Sequence, residues 1–139
     1  MNIIPRNILA VVGGLAVGSG LNMGLIILGP SIIVIPEGAD FSTPETLKES
    51  MPLLEAKHFI FPFLAHALGT LVGAFVAAKI ASSHRMKMAL VIGGLFLLGG
   101  IMMVVSVGGP IWFSVADLLV AYLPMSYLGG RLAIGKHEG

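Results

Sequence analysis

The sequence predicts an all-α membrane protein: four antiparallel transmembrane helices, over about residues 8–29, 59–82, 88–107 and 110–132, with a short extracytoplasmic helical insertion at 43–56. Three observations carry this. The 139-residue chain is 56% hydrophobic and only 11% charged, with a mean hydropathy of +0.97, whereas soluble domains carry about 25% charged residues. Four apolar runs each reach the roughly 20 residues needed to cross a bilayer core. The charged side chains gather at the connections and span ends, Asp117 excepted. Residues 1–139 are expected to form a single integral membrane domain. Without cysteine there is no disulfide or thiolate chemistry. Without a basic tract there is no footprint for nucleic acid.

The first span follows Arg6 and is uncharged from Ile8 to Leu28. A signal peptide is the competing interpretation, but its apolar region runs to about 15 residues and this stretch is longer. Gly14–Gly18 and Gly20–Gly24 supply two small-xxx-small pairs, and Asn22 is the one amide of the run. The segment from Pro30 to Lys57 holds Glu37, Asp40, Glu45, Glu49 and Glu55 against Lys48 and Lys57. Ser42 with Glu45 predicts a capping box, and Pro44 suits a first helical turn. Leu47, Met51 and Leu54 then share one face, which suggests a helix lying on the membrane surface. Pro52 predicts a break in it. An ordered connecting loop is the alternative.

The second span, Phe59 to Ala81, organises the chain. Ala65, Gly69, Gly73, Ala77 and Ala81 recur every fourth residue and form one line along a helix. In lipid such a line lets another helix approach closely, because association there depends on packing and interhelical hydrogen bonds. Gly14, Gly18, Ala65, Gly69, Gly73 and Ala77 are therefore the candidate packing residues. A polar turn, Ser82 to Lys87, leads to the third span. Gly108-Gly109-Pro110 is a tight connection to the fourth, where Pro124 removes a backbone donor and predicts a kink.

Basic residues set the expected orientation. Arg6, Lys79, Arg85, Lys87, Arg131 and Lys136 fall on one side with a single acid, Glu138, while the other side has two basic residues against five acids. The positive-inside rule puts both termini in the cytoplasm, as for a protein of the bacterial inner membrane. Trp112, Phe59 and Phe61 are expected in an outer aromatic belt.

Sliding the chain by 80 residues aligns Val11–Pro30 with Val91–Pro110, with identity at eight of twenty positions. A tandem two-helix repeat, 8–82 and 88–134, would explain this, as would chance matching of glycine-rich apolar helices. If the repeat is real, an offset of 51 pairs His66 with Asp117 and Phe61 with Trp112.

The segments KHFIFPFLAHALGTLVGAFVAAKIA, SSHRMKMALVIGGLFLLGGI and PIWFSVADLLVAYLPMSYLGGRLA run from Lys57 to Ala133, and the likeness they carry is read as covering most of the chain. They resemble a group of small, uncharacterised bacterial four-helix membrane proteins. The resemblance implies the same topology and carries no activity.

Three spans each hold one strongly polar residue: Asn22, His66 and Asp117. At 1.5 Å per residue all three lie about 10–12 Å inside the outer boundary. Ionised groups at such depth are costly and are functional candidates by default. Desolvation disfavours the charged form of each, while direct contact favours the ion pair. The layer, with Thr70 one turn beyond His66, is either a proton or ligand site or a buried hydrogen-bond cluster holding helices in register. Tyr122 and Tyr127 lie near Pro124 and are expected to satisfy carbonyls freed by the kink. His58 reads as a solvated interface residue, and its grouping with Glu55 and Asp40 is the one metal-like set. No cofactor, metal site or catalytic constellation is predicted. The leading expectation is a non-catalytic accessory, assembly or interaction protein, partnered by the lipid bilayer and either by further copies of itself or by other membrane proteins. A small oligomeric transporter or channel using the Asn22/His66/Asp117 layer is the second expectation. An intramembrane enzyme or a lipid- or quinone-binding protein is the third.

Overall fold

Residues 2–135 are described by a computed structural model, which is all-helical with no strand among them. Helix α1 spans Ile3–Ile32, α2 Pro44–Ser50, α3 Ile60–Ile80, α4 Arg85–Ser106, α5 Ile111–Val120 and α6 Leu123–Ile134. Single 3₁₀ turns at Met51–Leu53 and Ala56–Phe59 connect α2 to α3. Four units are long and apolar enough to cross a membrane: α1, α3 with its preceding turn, α4, and α5 with α6. Lys136 and Glu138, used in the charge argument, lie outside the described residues.

Helix α1 is longer at both ends than expected and runs through Pro30, with Ile33 N–H still bonded to the Gly29 carbonyl. A proline so near a helix end removes only one intrahelical bond, and the final carbonyls lack helical donors anyway. The fourth span breaks rather than bends. Ala121 and Tyr122 form a turn, and Pro124 sits in the first turn of α6, where its missing N–H costs nothing. Gly108 and Gly109 have φ of 80° and 125° in the turn before α5, a region glycine enters without steric cost.

Helix α3 is the centre of the bundle and packs on α1, α4 and α6. The line of small residues is its contact with α1. A Cβ placed on Gly14 would stand 2.6 Å from the Gly73 carbonyl oxygen, and one on Gly73 2.7 Å from that of Gly14. Ala65 and Ala77 are fully buried in the same seam. On the opposite side Gly129 of α6 meets the Leu71 backbone, and Gly93 of α4 makes room for Ser126. The seam expected to recruit another helix is thus filled within the chain. Gly20, Gly24, Gly94 and Gly99, by contrast, have no neighbour where a side chain would be. Gly14 and Gly94, equivalent under the 80-residue offset, therefore have different surroundings.

At the basic end Ala74, Ala77, Ala78, Ala89, Ile92 and Ala133 form a buried core. Hydrogen bonds tie α1 to the α3–α4 turn there: Arg6 Nε donates to the Ile80 carbonyl at 2.6 Å, and Asn7 bonds Ser82 and Ser83. At the acidic end the insertion departs from expectation in three ways. Its capping box is Thr43 with Thr46, one residue along from Ser42 and Glu45, and Pro44 occupies the first turn as predicted. Hydrogen bonds from Ser42 instead hold the exposed Asp40 carboxyl below its usual range. Leu47, Met51 and Leu54 do share a face, but they turn it inward and line a cavity of the bundle. Burying them there satisfies the same hydrophobic drive that a membrane surface would.

Two aromatic and polar expectations also change. Phe59 is buried, 5.7 Å from Trp112 and 4.7 Å from Phe113 by ring centroids, so it is a packing residue and not part of a belt. His58 is half-buried: its Nδ1 accepts from Glu55 N–H at 2.8 Å, and its Nε2 lies 3.2 Å from the Val34 carbonyl. It fastens the insertion to the start of α3 and is not a solvated side chain.

Candidate functional site

His66 lies two turns into α3 and Asp117 two turns into α5, each counted from the acidic end. Their helices run in the same direction across the bundle, so equal distance from the helix start means equal depth. His66 Nδ1 is 2.8 and 2.9 Å from the two oxygens of Asp117. Tyr122 O–H donates to Asp117 Oδ2 at 3.1 Å, and its ring stacks on His66 with centroids 5.7 Å apart. Asp117 and Tyr122 are buried at 3% exposure each, while the His66 side chain keeps 23%. An ionised carboxylate only accepts, so Nδ1 is the protonated nitrogen toward it. Nε2 has no partner among the described residues; in a neutral ring it would present a lone pair.

The helix break explains why Tyr122 reaches Asp117. In a continuous helix, five residues turn through about 140° beyond a full revolution and set the two side chains on different faces. The turn at Ala121 and Tyr122 removes that offset. Gly100 of α4 completes the fit, since a Cβ there would sit 2.6 Å from the Tyr122 hydroxyl. Sequence reasoning missed Tyr122: it is not spent on freed carbonyls as expected, and Tyr127 points outward at 52% exposure. The proximity of Pro124 to Asp117 was the available signal, because a proline break is what can rotate a following residue onto a preceding face.

Thr70 is 1% exposed and donates to the His66 carbonyl at 2.7 Å, so it serves its own helix backbone. Asn22 does not bond the pair. It borders the same cavity, of about 230 Å³, whose wall also includes His66, Thr70, Phe96, Gly99 and Met103. A second cavity of about 190 Å³ extends from His66 and Asp117 toward the insertion. Both border His66, Gly100 and Met103. No cluster of metal-ligating side chains occurs among the described residues.

The arrangement brings together His66 and Asp117, leaves Asn22 across a space, and gives the carboxylate two donors. Chemically it can hold a ligand's hydrogen-bond donor at Nε2, while Asp117 fixes the tautomer and orientation of the ring. Comparison with known proteins yields no match to a family model, a curated protein or a solved structure. The likeness to small bacterial four-helix proteins therefore rests on the sequence segments alone.

Proposed function

We propose that this chain is a non-catalytic binding and interaction protein of the bacterial inner membrane, with both termini in the cytoplasm. In this reading the His66 layer receives a ligand from the acidic side or from the bilayer, and the four helices do not conduct solute. The observation that carries it is the asymmetry of the interior. Cavities reach His66 in the acidic half, whereas alanines, Ile92 and paired glycines pack the basic half closed. The hydroxyls beside His66 are engaged, Thr70 with backbone and Tyr122 with Asp117, which supports binding over nucleophilic chemistry. The uncovered Gly20, Gly24 and Gly94 support self-association or docking to larger membrane proteins.

Flux tests this reading. Liposomes containing the protein should leak protons and small ions no faster than empty ones across an imposed gradient. Proton flux that is abolished by Asp117→Asn would replace the binding reading with the transport one.

A further inference from the structure

We infer that the His66 cavity is a binding site for a neutral amphiphile with a hydroxyl head, a phenol or alcohol carried on an apolar tail. This deepens the binding reading above and rests on it.

The head-group chemistry follows from the walls. His66 Nδ1 is committed to Asp117, so Nε2 is the ring atom left to meet a ligand; in a neutral ring it accepts, and a ligand would donate there. The Asn22 amide borders the same space, without a partner among the described residues, and can both donate and accept. A hydroxyl satisfies this pair: it donates to Nε2 and accepts from the Asn22 amide. No Lys or Arg lines either cavity. An anionic phosphate or carboxylate head would therefore meet the Asp117 carboxylate with no Lys or Arg to offset it. A cationic head finds that carboxylate already engaged by His66 and Tyr122. Charge disfavours both and favours the neutral head.

The tail follows from continuity. From His66 and Met103 the second cavity runs past Val104 and Phe113 to Leu47 and Met51 of the insertion. This is an apolar slot capped by the inward-turned face of α2 and its 3₁₀ turn. Entry would be from the bilayer beside α4. There Gly99 carries no side chain and has nothing packed on it, and Asn22 faces it from α1 across the cavity.

The test compares a decyl-chain phenol with its methyl ether, which has the same tail and cannot donate. Retention of each by the protein in nanodiscs is measured against empty nanodiscs. The native protein should retain the phenol about tenfold better than the ether, the effect of one buried hydrogen bond made or left unmade. In His66→Phe that preference should fall to about one. Met103 borders both cavities and makes none of the His66–Asp117–Tyr122 hydrogen bonds, so Met103→Trp should narrow the shared space and abolish retention of both probes. Equal retention of phenol and ether by the native protein overturns the proposal, as does a preference that survives His66→Phe. Should His66→Phe not fold, phenol retention that survives Met103→Trp places the probe elsewhere and also overturns it. Proton flux in liposomes would sink the underlying binding reading separately, because it is measured without either probe.

Discussion

Gly18 and Gly69 approach each other reciprocally: a Cβ on Gly18 would lie 2.7 Å from the Gly69 carbonyl oxygen, and one on Gly69 2.9 Å from that of Gly18. With Gly14 and Gly73 one turn away, this makes two backbone-to-backbone contacts along the α1–α3 crossing. Helix α1 is mostly exposed to lipid, so this seam is its principal attachment.

Gly69→Leu or Gly73→Leu should force the two helices apart and cost about 2 kcal/mol or more, as overpacking does. Gly20→Leu and Gly94→Leu, where nothing stands within 4 Å, should leave thermal unfolding in detergent unchanged. Leu71→Ala should also do much less than either seam variant. Equal melting temperatures for Gly73→Leu and Gly94→Leu would show that the seam does not hold α1.

The His66–Asp117–Tyr122 cluster predicts a non-additive mutant cycle. Asp117→Ala strands two donors, the His66 N–H and the Tyr122 hydroxyl, and should cost about 3 kcal/mol. Adding His66→Ala should recover part of that loss, because one orphaned group is removed. Tyr122→Phe keeps the ring on His66 and should cost about 1 kcal/mol. Denaturant or thermal unfolding of the four variants decides it, and strict additivity would mean the three residues act separately.

Topology is open to direct labelling because the chain has no native cysteine. Cysteines placed at Asp40 and Ser83 lie at opposite ends of the bundle. A membrane-impermeant thiol reagent should reach Asp40→Cys from outside intact cells and Ser83→Cys only after permeabilisation. Labelling of both from one face is incompatible with four spans.

The sequence by itself determined the number of spans, the line of small residues and the shared depth of His66 and Asp117. Each is a one-dimensional property: run length against bilayer thickness, a four-residue period, and equal distance from a helix start. Tertiary structure alone decided which neighbour each face meets. The glycine line could have served a second copy, yet α1 fills it, since only packing geometry distinguishes an internal helix from an external one. The insertion had an apolar face with two available surfaces, and the cavity above His66 took it. Tyr122 joined Asp117 because the chain breaks at Ala121 and Tyr122, a rotation that a helical period does not contain. Asn22, at the expected depth, packs its backbone and Cβ near Gly69 of α3 and borders the cavity without bonding the pair, a placement that depth alone does not fix.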